Sequence, residues 1–442
     1  MADSNEATPV FIDTTIPTLG KCDIPSPLPG ASAFAENPNI VLNIDELLTG
    51  GMSGPQPLSF EMAGPRRNLY FDPRNTRCAI VTCGGLCPGI NDVIRAIVMT
   101  ASQVYNIPSV LGVRFGFQGF LNASDEELGV VELTPDRVCH IHEFGGSILG
   151  STYGYGGQTP KDIVNALERL NVNVLFAIGG DGTMHNALEL QQEVARRGRK
   201  LSIIGFPRTI DNDIAFIPQS FGFETAVSKA TEAIRCAYTE ASSLPNGIGI
   251  VKIMGRQSGF IAANAALTFR NVNFVLVPEV PFSITGEKGI VPAVEQVLRQ
   301  HGEAVIVVAE GVGPNVVDGP YPQDYGDGVV NAIRSAIKKH MAAKGIDCTI
   351  KYIDPSYMIR AVPAAANDRR YCGFLGQHGV HAAMAGKTGM AVAKMRDKFV
   401  HLPLDLVTRR RRLSTSSDLW RSVLEMTGQG DSMGMAASPR QA

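Results

Sequence analysis

An excess of charge of either sign is missing from this chain: 40 Lys and Arg residues stand against 42 Asp and Glu, a formal net charge of −2 over 442 residues. That balance leaves no electrostatic footprint for nucleic acid or an anionic membrane, so any phosphate group the protein binds has to be held locally. Long hydrophobic runs are also missing. No apolar stretch approaches the ~20 residues that cross a bilayer, and the opening Met1-Ala2-Asp3-Ser4-Asn5-Glu6 offers neither the basic start nor the apolar core of a secretory leader. The expectation is a soluble, cytoplasmic protein with no membrane or nucleic-acid partner. Metal-ligand clusters are scarce as well. Of the eight cysteines, Cys83 and Cys87 lie closest together, and no second Cys or His pair completes a zinc set. Chain size and compartment favour free thiols throughout. His140 and His142 share one side of an expected strand, but with no third ligand they are read as a satisfied or exposed pair.

What is present is ordinary globular material, 44% hydrophobic and 19% charged, enough for two or three domains. Residues 1–75 carry Pro25, Pro27, Pro29, Pro55, Pro57, Pro65 and Pro73 without sustained periodicity, which predicts an irregular N-terminal extension. From Arg77 onward strands and helices alternate. Strands are expected over 78–82, 109–113, 174–178, 201–206, 248–253, 274–277, 304–309 and 350–353. Helices are expected over 92–104, 184–197, 222–241, 257–268, 290–300, 328–343 and 376–394. Such alternation predicts an α/β protein with parallel sheets covered on both faces, and the length favours two sheets with the active site in the cleft between them. The run Arg409 to Arg412 before Leu413-Ser414-Thr415-Ser416-Ser417 reads as an exposed basic segment, either a solvated linker or a phosphorylatable or anion-binding tail.

Two acidic segments sit thirty residues apart, Gly179-Gly180-Asp181-Gly182-Thr183 and Thr209-Ile210-Asp211-Asn212-Asp213. Each follows an apolar run that reads as a buried strand, so both should emerge on one sheet edge, where α/β proteins bind ligands. Convergence of Asp181, Asp211 and Asp213 would be costly without a cation or a proton to accept, and a hard ion such as Mg²⁺ fits. In the first segment the glycines permit close approach of a phosphate chain. Asp181 can hold Mg²⁺ directly or through water, and Thr183 offers a hydroxyl. In the second, Asp211 can accept a proton from an attacking hydroxyl while Asp213 orients the metal or Asp211 itself. Gly84-Gly85 and Gly89 bracket a further strand-to-helix turn, which serves either as a phosphate cradle or only as a tight turn. Ala385-Gly386-Lys387-Thr388 imitates the end of a P-loop but lacks the preceding strand and glycine. Met254-Gly255-Arg256, Ala309-Glu310-Gly311 and the segment from Lys351 to Arg360 add cations suited to a substrate phosphate and a carboxylate suited to sugar hydroxyls.

Taken in order, Gly-Gly-Leu-Cys-Pro-Gly (84–89), Gly-Gly-Asp-Gly-Thr (179–183), Thr-Ile-Asp-Asn-Asp (209–213), Met-Gly-Arg (254–256) and Tyr-Met-Ile-Arg (357–360) resemble the 6-phosphofructokinases over about residues 76–400. The ATP-dependent branch of plants and trypanosomatids is the nearest match. The resemblance implies two Rossmann-like three-layer domains, a nucleotide-binding one over 76–222 and a sugar-phosphate-binding one over 223–366. Residues 367–442 are then helices returning to the first domain, followed by a tail. It also implies a homodimer or homotetramer that transfers a phosphoryl group from ATP·Mg²⁺ to the 1-hydroxyl of fructose 6-phosphate. Carried over by motif, Asp211 is the proton acceptor, with Asp213 and Arg256 assisting, and Asp181 is the metal site. The donor cradle is Gly84, Gly85, Tyr153, Gly154 and Gly180 to Thr183. Thr209, Ile210, Asp211, Met254, Gly255, Arg256, Glu310, Lys351, Tyr357 and Arg360 form the sugar-phosphate site. Two positions depart from the pattern: Tyr153 stands where the family usually has arginine, and Arg208 where lysine is usual in this branch. Pyrophosphate users tend to carry aspartate at the position of Gly182, so glycine there favours ATP; pyrophosphate as donor, or a low-activity regulatory homologue, is the alternative.

Overall fold

The computed structural model describes residues 12–29, 34, 35, 39–42, 58–313, 316 and 327–430. Over these residues the chain divides into two units, one within 1–209, 214–222 and 361–411, the other within 210–213, 223–360 and 412–442.

In the first unit the proline-rich extension is less irregular than expected. Strands β1 (Ile24–Pro25), β2 (Asn39–Leu42), β3 (Leu58–Glu61) and β4 (Asn68–Leu69) form two antiparallel ribbons, β1 with β4 and β2 with β3. The Glu61 carboxylate fastens β3 to the rest of the unit through Lys387 at 2.8 Å and Arg66 at 2.9 Å. Then follow β5 (Arg77–Cys83), α1 (Ile90–Met99), β6 (Ser109–Val113), β7 (Val130–Glu132), α2 (Pro135–Val138), α3 (Pro160–Arg169), β8 (Val174–Gly179), α4 (Asp181–Arg196) and β9 (Ser202–Pro207). Every residue of β8 and β9 is buried, as expected of strands covered on both faces. Helix α3 starts at a reciprocal cap in which Thr159 and Asp162 satisfy each other's backbone N–H, followed by Pro160 in the first turn.

The second unit opens with α5 (Phe223–Ser242) and continues through β10 (Gly247–Ile253), α6 (Phe260–Phe269), β11 (Phe274–Leu276), α7 (Ile290–His301), β12 (Glu303–Ala309), α8 (Asp327–Ala343) and β13 (Thr349–Ile353). Its four strands are all parallel, in the order β11-β12-β10-β13. The chain then re-enters the first unit with α9 (Ala366–Met384), β14 (Met390–Met395), β15 (Lys398–Pro403) and α10 (Leu404–Val407), and ends in the second with α11 (Asp418–Thr427).

The first unit's sheet has seven strands in the order β15-β14-β9-β8-β5-β6-β7. It is not purely parallel: β15 runs antiparallel to β14, and β7 antiparallel to β6. The helix expected over 376–394 is also corrected. It starts earlier and stops at Met384, because Gly386 and Gly389 adopt φ of +69° and +64°, a left-handed backbone that no helix continues through. Met390–Met395 is instead a strand between β9 and β15. His140 and His142 lie in a turn and a 3₁₀ segment, not a strand, and His142 Nε2 meets Glu143 at 3.0 Å. Residues 412–430, expected as a tail on the first domain, group with the second unit, where Gln429 exchanges hydrogen bonds with the backbone of Val275 in β11. All eight cysteines are free thiols.

Candidate functional site

Along the chain, β6 is added on one side of β5 and β8 on the other, so the order of the first sheet reverses between β5 and β8. Ligands of open α/β sheets bind outside the carboxyl ends at such a reversal. Here those ends are in register, Cys83 beside Gly179 and Gly179 beside Pro207, which sets the loops after β5, β8 and β9 side by side. Gly84 leaves β5 with φ +87°, accessible to glycine without strain, and donates its N–H to the Thr152 carbonyl at 2.8 Å. Its own carbonyl accepts the Ser151 hydroxyl at 2.5 Å, which draws the loop containing Tyr153 and Gly154 onto the end of β5. Tyr153 is 78% exposed. Arg208 is buried across these strand ends: its N–H donates to Gly179 O and its guanidinium to Cys83 O, both at 2.8 Å. A Cβ on Gly84 would sit 3.1 Å from that guanidinium, so only glycine leaves the approach open.

Gly180 caps α4, with Asp181 in its first turn, where the helix dipole favours negative charge. A Cβ at Gly182 would meet nothing within 4 Å, so the space beside the helix start is open. Thr183 does not face that space. It is buried against Gly179, close enough that a Cβ there would collide, so it supports the turn instead of presenting its hydroxyl. Asp181 pairs with Arg410 at 2.5 Å, the carboxylate 46% and the arginine 38% exposed. Burial is the largest single influence on the Asp181 carboxyl and pushes it upward. The Arg410 hydrogen bond and charge, with the Gly182 N–H, override it and hold the group below the ordinary aspartate range.

In the second unit the loops after β10 and β12 interlock. Glu310 N–H donates to Ile253 O at 2.8 Å and Gly311 N–H to Gly255 O at 3.1 Å. A Cβ on Gly311 would lie 2.2 Å from the Arg256 carbonyl, and Gly255 adopts φ +141°, so both positions need glycine. This clasp sets Met254, Gly255 and Arg256 beside Glu310. Burial, the largest influence, raises the Glu310 carboxyl although Lys252, Arg360 and Arg256 pull it down. Arg360 stacks over the Tyr357 ring at 5.1 Å, and Tyr357 is 72% exposed. The acidic segment is gripped by its backbone: the buried Ser258 donates its hydroxyl to Asp211 O at 3.0 Å, and Asn212 takes a left-handed φ of +55°, which asparagine tolerates. The Ile210 and Asp213 side chains of this segment are buried, and in the first unit Ser220 Oγ likewise donates to Thr209 O at 2.6 Å.

Two further expectations are corrected. Lys351 stands within β13 and pairs with Glu240 of α5 at 3.1 Å, away from the strand-end loops that carry Glu310 and Arg256. Among the described residues no group of three or more His, Cys, Asp or Glu side chains is arranged to hold a metal. The basic run is no solvated linker: Ala215 N–H binds Arg409 O at 3.0 Å, and Arg411 reaches Pro218 O at 2.9 Å. Sequence reasoning missed Arg410, and also Lys252, a buried cation of β10 bonded to Asp354 and Asp327 at 2.7 Å each. A lysine inside an otherwise apolar strand run was the available signal for Lys252; nothing local marks Arg410 among four consecutive arginines.

Comparison with known proteins matches residues 77–383 to the Phosphofructokinase family. An ATP-dependent 6-phosphofructokinase of Borreliella burgdorferi is 43% identical, covering 96% of this chain and 98% of that protein. One of Trypanosoma brucei brucei is 45% identical over 84% of this chain and 77% of its own length. Among solved structures, a pyrophosphate-dependent phosphofructokinase of Marinobacter aquaeolei superposes with a TM-score of 0.66 over 83% of this chain and 94% of that one. At 22% identity that likeness speaks for the fold alone.

Proposed function

Because the chain belongs to the phosphofructokinase family, we propose that it transfers a phosphoryl group from ATP to the 1-hydroxyl of fructose 6-phosphate, releasing ADP and fructose 1,6-bisphosphate. The observation that carries the choice of donor is the open space at Gly182, at the start of α4 and beside Gly180 and Asp181. A nucleotide's phosphate chain can approach backbone N–H groups there, and the helix start favours its charge. The first unit supplies the donor side through Gly84, Gly85, Tyr153, Gly154, Gly180, Asp181 and Gly182.

The residues fit Mg²⁺ as cofactor. The Asp181 carboxyl is held below the ordinary aspartate range, it is partly exposed and its present partner is a cation, and a single carboxylate suits an ion that keeps its waters and takes substrate phosphates as ligands. When bound, Mg²⁺ neutralises charge on the phosphates. The second unit supplies the acceptor side. Asp211 takes the proton of the attacking hydroxyl, a step worth roughly 10²- to 10⁴-fold in rate, with Asp213 beside it in sequence. Arg256, Arg360 and Tyr357 hold the sugar phosphate, Glu310 accepts from its hydroxyls, and Thr209, Ile210, Met254 and Gly255 shape the walls. Arg208, buried behind Gly84, places a guanidinium near the donor loop from which the arginine usual at position 153 is missing. We place the protein in the cytoplasm as a homo-oligomer; among the described residues no helix is long and apolar enough to cross a membrane.

Purified protein given fructose 6-phosphate, Mg²⁺ and either ATP or pyrophosphate should form fructose 1,6-bisphosphate with ATP. Product with pyrophosphate alone would overturn the donor assignment.

A further inference from the structure

The run Arg409 to Arg412 places one guanidinium on the carboxylate assigned to the metal. We propose that Arg410 is a resident competitor for the divalent cation at Asp181, holding the carboxylate until a cation displaces it and so weakening cation binding to the free protein. The proposal rests on the assignment of Asp181 as the metal site.

Four features of the first unit support it. The backbone of the run is fixed: Ala215 donates to the Arg409 carbonyl at 3.0 Å, Arg410 bridges to Ile214, and the Arg411 guanidinium donates to the Pro218 carbonyl at 2.9 Å. Release of Asp181 therefore turns on the Arg410 side chain and not on the path of the backbone. The pair is short, at 2.5 Å, so the guanidinium occupies a carboxylate oxygen at a distance that leaves no room for a cation on that oxygen. Both partners are more than a third exposed. Ion pairs in that setting are weak because water screens them, which makes this one displaceable where a buried pair would not be. The helix start on either side of Asp181 is uncrowded, since among the described residues neither Gly180 nor Gly182 has a neighbour closer than 3.7 Å to a Cβ built on it. Arginine suits the task because its planar fork matches a carboxylate, and any permanently charged side chain of this length can hold the oxygen in its place. The outcome is a carboxylate that is never left unpaired, and a cation that binds well only when it brings phosphate ligands of its own.

The test is titration of the full-length protein with Mn²⁺ alone, following free Mn²⁺ by electron paramagnetic resonance and taking as signal the binding lost in Asp181→Asn. Arg410→Gln should bind Mn²⁺ about fivefold more tightly than wild type, the effect of removing a partly exposed ion-pair partner. Arg410→Lys should stay as weak as wild type, and the gain should vanish in the Arg410→Gln/Asp181→Asn double variant. Unchanged melting temperatures would show that all variants fold. If Arg410→Gln bound Mn²⁺ no more tightly than wild type while Asp181→Asn still reduced binding, the competitor role would fall and Asp181 would keep its assignment. If Asp181→Asn changed nothing in either background, the metal assignment would fall too.

Discussion

The two units hold their acidic residues in opposite ways. In the first, Asp181 is held by its side chain: a partly exposed carboxylate at a helix start, paired with the arginine that arrives from residue 410. In the second, Asp211 is gripped through its carbonyl by the buried Ser258, and the neighbouring Glu310 is placed by a backbone clasp between the loops after β10 and β12. A side-chain contact can be exchanged for another ligand at small cost, whereas a backbone clasp cannot be undone without opening the strand ends. On the proposed assignment, the first unit's contact suits taking in and releasing a charged nucleotide with its ion, and the second unit's clasp suits holding reacting groups at fixed positions.

The comparison is tested hardest at Asp211. Asp211→Asn keeps the backbone grip, so kcat should fall on the order of 10²-fold or more while KM for both substrates stays within a few fold; unchanged turnover in a steady-state assay would remove the proton-acceptor role. At the exchangeable side, Gly182→Asp meets no neighbour within 4 Å and should fold normally. The added negative charge should raise KM for ATP roughly tenfold, with KM for fructose 6-phosphate little changed. The smallest effect concerns Glu310. Burial raises its folded-state pKa above the unfolded value, so the folded protein binds that proton more readily and the ionised form opposes folding at higher pH. Glu310→Gln should therefore raise the calorimetric melting temperature at pH 8, by on the order of 1–2 °C. The gain should shrink as pH falls through the folded pKa. A gain that grew on acidification would show that the cations around Glu310 outweigh its burial.

Much of the fold was legible because strands β8, β9, β10 and β12 are mainly apolar, with Lys252 of β10 and Glu303 of β12 the charged exceptions. The error at 376–394 has a physical cause. Met390-Ala391-Val392-Ala393-Lys394-Met395 is built mainly of good helix formers, and only its pairing between β9 and β15 makes it a strand. Lys351 carries the right charge for a phosphate, yet its register opposite Gly249 puts it mid-strand, where it meets Glu240.

By itself the sequence determined the chemistry available at each strand end. Glycine stands where the turn leaves little room for a Cβ, aspartate offers a carboxylate that can meet a proton or a cation, and arginine a cation that can meet a phosphate, and these are local demands of turn geometry and charge. Tertiary structure alone decided which of these groups meet. The carboxylate of Asp181 finds its partner 229 residues away, and Lys252 finds Asp327 and Asp354. Such pairings depend on sheet order and register, which the separate segments do not encode.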